Sequence, residues 1–110
     1  MPYTLNVFTF IETKLFTRLV KDYLTDEEYR ELQTALIESP EAGDVIPGSG
    51  GVHKIRWRAK GRGKRGGYRI IYFMRFAEEE IWLVTMYPKN VTDTISADVL
   101  KKIREEIENG

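Results

Sequence analysis

The order of periodic segments in this chain predicts an α+β fold, a small antiparallel sheet with its helices packed on one side. Three observations carry that expectation. A β-branched and aromatic segment opens the chain, two helical stripes follow it, and three strand-like segments separated by turn residues precede a last helical stripe. The order is β-α-α-β-β-β-α. A length of 110 residues with 42% hydrophobic content suits one modest core, so residues 1–110 are expected to form a single domain.

Each element has a local reason. YTLNVFTF (residues 3–10) has strand composition. From Lys14 to Leu24, Leu15, Leu19 and Tyr23 recur at helical spacing beside Phe16 and Val20. Thr25 stands three residues before Glu28, a capping-box pattern, and the stripe Tyr29, Leu32, Ala35, Leu36 then runs toward Pro40. A second helix over 25–38 follows. GDVIPGSGG (43–51) holds four glycines and a proline and is expected to be a loop. From Val52 to Ala59 the residues alternate, with His53, Ile55 and Trp57 on one face and Lys54, Arg56 and Arg58 on the other. KGRGKRGG (60–67) makes a glycine-punctuated turn, and YRIIYFMRF (68–76) and IWLVTMY (81–87) are strands around the acidic tip AEEE. Ser96 caps a last helix whose stripe is Val99, Leu100, Ile103 and Ile107. With all helices on one side, the other sheet face would be open and basic.

Composition narrows the chemistry. Without cysteine, disulfides and thiol catalysis are excluded, and a single histidine cannot assemble the familiar zinc ligand sets. No cofactor or metal is expected. No run approaches the roughly 20 apolar residues of a membrane span, and MPYTLNVFTFIETK lacks the pattern of a secretion signal, so a soluble, cytoplasmic protein is expected. The zero net charge conceals segregation: residues 1–44 carry −5, residues 45–77 carry +9 and residues 78–110 carry −4. Screened fields act over roughly 8 Å at physiological salt, so the basic window can attract a polyanion on its own.

Within that window, His53 to Phe73 holds eight Lys or Arg residues and no acid. Such a run is often no more than a solvated strand face. Here, however, like charges at every second position repel one another, and the neighbouring strand supplies no acid. An external polyanion is expected to supply the balance. Arg69, just after the turn, can approach the Lys54 to Arg58 row across the hairpin. Glycines 61, 63, 66 and 67 leave turn N–H groups open to phosphate, though hairpin flexibility explains them equally well. Unpaired RNA bases stack on aromatic rings such as Trp57, Tyr68, Tyr72 and Tyr87; alternation assigns Trp57 to the core, and Tyr87, at the end of the last strand in TMYPKN, is the best candidate for an exposed ring. His53 faces the apolar side, where a structural role is the commoner one. The Glu78 to Glu80 cluster sits at a turn tip, away from the bases.

The hairpin HKIRWRAKGRGKRGGYRIIYF, with DEEYRELQ and SPEAGDVIPGSGG before it and LVTMYPKN after it, resembles the HigB-like branch of the RelE toxin superfamily. The resemblance spans nearly the whole chain and is most specific in GRGKRGGYRIIY followed by MYPKN. It implies a RelE-like fold and a toxin of a type II toxin–antitoxin pair that enters the ribosomal A site and cuts mRNA there. The implied partners are mRNA, the ribosome and a helix-turn-helix, HigA-like antitoxin. The implied enzyme is a metal-independent endoribonuclease: the RNA 2′-hydroxyl attacks the adjacent phosphorus and leaves a 2′,3′-cyclic phosphate. Residue by residue, Lys54 and Arg56 match two lysines on the second strand of RelE-like enzymes, and Arg69 matches the arginine of the GYR motif. Lys89 lies beside the place of a catalytic arginine, while Asn90 occupies that place. Lys89 or Tyr87 would serve as acid or positioning group. Arginine, with a pKa above about 12, accepts protons poorly, so the base falls to Lys54 and charge stabilisation to Arg56 and Arg69. Arg58, Lys60, Arg62, Lys64 and Arg65 are the expected RNA-binding cations. His53 is an outside candidate, since another branch uses His and Asp near these places. Two other readings share these residues: a noncatalytic RNA-binding module, and a gyrase-poisoning toxin of the same superfamily.

Overall fold

The computed structural model describes residues 8–58, 67–91 and 95–109. The elements are β1 (Thr9–Glu12), α1 (Lys14–Tyr23), α2 (Asp26–Glu38), β2 (Asp44–Val45), β3 (His53–Trp57), β4 (Tyr68–Arg75), a 3-10 turn (Phe76–Glu78), β5 (Glu80–Pro88) and α3 (Ala97–Asn109). The α+β class is borne out. The sheet is mixed rather than purely antiparallel, with strand order β1-β5-β4-β3-β2 and β1 parallel to β5. The two helices between β1 and the hairpins let β1 join the far edge of the sheet in the parallel sense. Of the expected first strand, residues 3–7 lie outside the described residues.

Two helix starts follow the sequence signals at Thr25 and Ser96, and the structure adds a third cap at Thr13. Thr13 accepts a hydrogen bond from the Phe16 N–H at 3.1 Å and donates to the Val84 carbonyl at 2.7 Å, fastening α1 to β5 as it caps it. Thr25 and Glu28 form the reciprocal capping box, with bonds of 3.1 and 2.8 Å. Ser96 accepts from the Val99 N–H at 3.3 Å. The expected loop 43–51 contains β2, which pairs antiparallel with β3 and sets Asp44 opposite Lys54.

Helix placement differs from the expectation. Phe16 and Val20 of α1 and Leu32 and Leu36 of α2 pack on Tyr68, Ile70, Tyr72, Leu83 and Met86. Leu100, Ile103 and Ile107 of α3 pack with Ile71, Phe73 and Val84, which project from the opposite face. The reason lies in β4, where Ile70, Ile71, Tyr72 and Phe73 are all buried. A strand apolar on both faces has to be covered on both. Arg104 holds α3 in place: it donates to the Gly50 carbonyl, pairs with Glu108 at 2.5 Å, and lies 5.5 Å from the Phe73 ring centre.

A β-bulge gives this second face its shape. Ile71 pairs with Thr85 but Tyr72 pairs with Leu83, so Val84 is the extra residue on β5. Val84 and Thr85 both lie on the α3 side, Val84 in its core and Thr85 beside Leu100. Among the described residues no helix is long and apolar enough to cross a membrane.

Candidate nucleic-acid interface

The β3 alternation places His53, Ile55 and Trp57 toward α1 and α2, where Ile55 and Trp57 join the core. Lys54 and Arg56 point to the α3 side and are exposed. Register then builds two rows across the sheet. Asp44, Lys54, Ile71 and Thr85 form one, and Arg56, Arg69 and Tyr87 form the next, two residues and thus about 7 Å along the strands. Arg58, exposed, follows β3 at the same end. The face expected to be wholly open is therefore half covered: α3 lies over Ile71, Phe73 and Val84, and the cations lie beyond its edge.

Arg56 and Arg69 are direct cross-strand partners. Like charges so placed destabilise a sheet unless a counter-charge intervenes. The described residues contain two ion pairs, Arg75 with Glu80 and Arg104 with Glu108, and neither involves this row. The Arg69 guanidinium makes a long bond, 3.5 Å, to the Tyr68 carbonyl. Asp44 is the acid nearest by register, one residue upstream of the acid-free window, yet it forms no ion pair with Lys54. The acidic tip is committed elsewhere, with Glu80 bonded to Arg75 at 3.2 Å and to the Trp82 indole at 2.9 Å.

Tyr87 is half-buried beside Arg69. Burial pushes its hydroxyl above the ordinary phenol range, and the Arg69 charge opposes that shift only in part. It is therefore a protonated donor at neutral pH. Tyr68 and Tyr72 are buried on the α1 and α2 side, so Tyr87 is the ring of the four that shares the cation face, in keeping with its choice from the end of the last strand. His53 is buried on the opposite face, stacked 5.4 Å from Tyr72, with Nδ1 3.1 Å from the Gly51 carbonyl. Tyr72 in turn donates to the Pro40 carbonyl at 2.8 Å and accepts from the Gly43 N–H at 3.0 Å. His53 belongs to that structural network.

Lys89 is exposed one residue past β5, and its N–H donates to the Gly67 carbonyl at 3.1 Å. That bond closes the hairpin end. Gly67 has φ +66°, and a Cβ there would collide with the Trp57 carbonyl, so this glycine is required by close strand approach. Lys60, Arg62, Lys64 and Arg65 lie outside the described residues. Thr85 and Asp44 escaped the sequence reading. The bulge hides Thr85 from simple alternation, and a two-residue strand leaves no periodic trace for Asp44.

A family model for the RelE toxin of the RelE/RelB toxin–antitoxin system matches residues 8–108. The chain belongs to the RelE toxin family. It is accordingly a RelE-family toxin of a toxin–antitoxin system, and the expected superfamily is borne out. Solved structures share this RelE fold. A mutant E. coli RelE in the free state is 16% identical over 88% of this chain and 96% of its own, with TM-score 0.60. A chain of the intact E. coli RelBE toxin–antitoxin complex is 17% identical over 77% of this chain and 100% of its own, with TM-score 0.58. Isolated E. coli RelE gives 16%, 92%, 99% and 0.58. At such identities the RelE likeness is one of fold.

Proposed function

We propose that this RelE-family toxin is a ribosome-dependent mRNA endonuclease of the HigB-like kind, which arrests translation by cutting the message in the A site. The observation that carries the reading is the row of Lys54, Arg56 and Arg69 beside Tyr87, cationic and without carboxylate pairing among the described residues. A ribonucleotide backbone on this row would bring a phosphate between two guanidinium groups. In-line attack needs four functions: a base for the 2′-hydroxyl, cations for the phosphoryl oxygens, an acid for the departing 5′-oxygen, and alignment. Lys54, when neutral, takes the 2′-hydroxyl proton as the oxygen bonds to phosphorus. Arg56 and Arg69 hold the two phosphoryl oxygens as charge builds on them. Tyr87, protonated at neutral pH and beside Arg69, supplies a proton to the 5′-oxygen as the P–O bond breaks. Lys89 and Arg58 flank the row and bind neighbouring phosphates, with Lys60, Arg62, Lys64 and Arg65 extending the basic surface. This scheme uses no metal, since the cations of the chain carry the charge.

A cytoplasmic site of action follows from that substrate. The partner would be a HigA-like helix-turn-helix antitoxin that keeps the row from RNA. The test is primer extension on mRNA after induction of the wild type and of Arg69→Ala. The wild type should yield discrete A-site cuts with 2′,3′-cyclic phosphate ends, and the variant should lose turnover far more than RNA affinity. Intact message with active ribosomes rejects the reading. Equal loss of affinity and turnover points to a noncatalytic RNA binder.

A further inference from the structure

The acidic first part of the chain, residues 1–44, has four bases, Lys14, Arg18, Lys21 and Arg30, and three of them lie in α1. Lys14, Arg18 and Lys21 recur at i, i+4 and i+7, which puts them on one face of the helix, away from the buried Phe16 and Val20. All three are exposed. At a rise of 1.5 Å per residue the stripe they make is about 10 Å long.

A solvated helix face is the ordinary reason for such a stripe, yet several observations go beyond solubility. Lys14 is the first residue of α1, where the helix dipole disfavours a cation, and no acid accompanies it in the first turn. Glu12, just ahead of the helix, is committed to Thr17 and Tyr29 at 2.5 and 2.6 Å. Arg18 and Asp22 have ion-pair spacing, but none of the three cations is paired among the described residues. The adjoining α2, whose Tyr29 ring lies 5.9 Å from Phe16, exposes Asp26, Glu27, Glu31 and Glu38 against one base, Arg30. One helix layer thus carries both signs, kept apart.

The stripe and the cation row point in opposite directions. α1 packs on the face of the sheet that bears Tyr68, ending where Tyr23 stacks on that ring at 4.9 Å, whereas the row lies on the α3 side. The sheet and the body of a helix, about 10 Å across, stand between them. An RNA strand lying on the row does not reach the stripe.

We infer that the α1 stripe binds the phosphate backbone of a second, folded RNA, so that the toxin is held between the message on one side and structural RNA on the other. This rests on the RNA-directed reading of the row and deepens it, because a second RNA contact would make cleavage depend on a ribosome rather than on free message. Chemistry favours RNA over an acidic protein. A protein interface needs an apolar centre, and the exposed large apolar residues among those described, Val45, Phe76, Val91 and Val99, all lie outside α1. Regularly spaced cations without apolar neighbours suit a regular polyanion.

The experiment measures binding of the purified full-length chain to ribosomes programmed with a message whose A-site sugars are 2′-deoxy, so that no cut occurs, over a range of salt concentrations. Each neutralised phosphate adds about 0.7–0.9 to the slope of log affinity against log salt. Lys14→Gln/Arg18→Gln/Lys21→Gln should therefore lower that slope by about 2–3 and the affinity at about 0.1 M salt by about 10²-fold. A trinucleotide with a 2′-deoxy central sugar, held by the row alone, should bind as before. Each single variant should take about a third of the slope change. Thermal unfolding should show all of them folded. Lys101→Gln/Lys102→Gln on α3 controls for total charge and should leave the slope in place. Wild type that ignores ribosomes, an unchanged slope in the triple variant, or an equal loss per charge in the α3 control would each overturn the inference. Loss of binding to polyglutamate, with ribosome binding kept, assigns the stripe to an acidic protein and overturns it as well. Message cut by the triple variant at full ribosome affinity removes the stripe and keeps the nuclease. A stripe-dependent slope, with ordinary message left intact by the wild type, keeps the stripe and removes the nuclease.

Discussion

Replacing Arg69 with glutamine should make the protein slightly more stable and much less active. Arg56 and Arg69 face each other across β3 and β4, and neither forms an ion pair among the described residues. Directly opposed like charges cost about 0.2–1 kcal/mol, and the lower part of that range applies because Arg56 is exposed and Arg69 only half-buried. Relief of about 0.3 kcal/mol corresponds to a Tm increase of about 1–2 °C in a domain of this size. The gain should vanish at 0.5 M salt, where the screening length falls to about 4 Å. Activity should move the other way: loss of one donor to the developing phosphoryl charge costs about 10²–10³ in rate. Thermal unfolding at low and high salt, with primer extension on programmed ribosomes, measures both. Destabilisation by more than about 1 kcal/mol at both salts, with cleavage falling in step with the folded fraction, would refute the reasoning. Arg69 would then be a structural residue.

Three further outcomes are expected. Tyr87→Phe should lower cleavage by about 10²–10⁴ while leaving the melting curve in place, because the hydroxyl has no hydrogen-bond partner among the described residues; primer extension with thermal unfolding checks it. Tyr29→Phe should cost about 1.5–3 kcal/mol at pH 7, since the Tyr29 hydroxyl donates to Glu12 at 2.6 Å. Burial first, and the Glu12 carboxylate second, push the Tyr29 hydroxyl well up. A raised folded value leaves this contribution complete below about pH 10 and removes it as pH climbs toward the folded value, so urea midpoints should fall above about pH 10 in wild type and fall less in the variant. Leu100→Ala should destabilise by about 2–5 kcal/mol, read from urea unfolding, because Leu100 is 3% exposed and is the buried anchor of α3 on the sheet.

Much of the fold was legible because its signals are local. Thr13 and Thr25 cap the helices that the stripes announced, and both helices end within a residue of where periodicity stops. The β3 alternation sorted Trp57 and His53 from Lys54 and Arg56 correctly, since successive side chains in a strand point to opposite faces whatever surrounds them. Tyr87 was found from its place at the end of the last strand. What alternation could not reveal was the consequence of YRIIYFM: an unbroken apolar run is compatible with burial on both faces, and only the arrival of α3 on the second face gave it that meaning. The parallel edge strand, the short β2 and the bulge also depend on partners distant in sequence.

The cation row divides between the two levels. The amino-acid sequence by itself determined that nine bases crowd an acid-free window and that Lys54, Arg56 and Arg58 share one strand face, because charge and strand parity are properties of neighbours along the chain. Tertiary structure alone decided that Arg69 meets Arg56, that Tyr87 stands beside them, and that Leu100 and Thr85 close a cleft at the edge of the row. Those contacts join residues dozens of positions apart, and their register is fixed by packing two apolar layers against one bulged sheet.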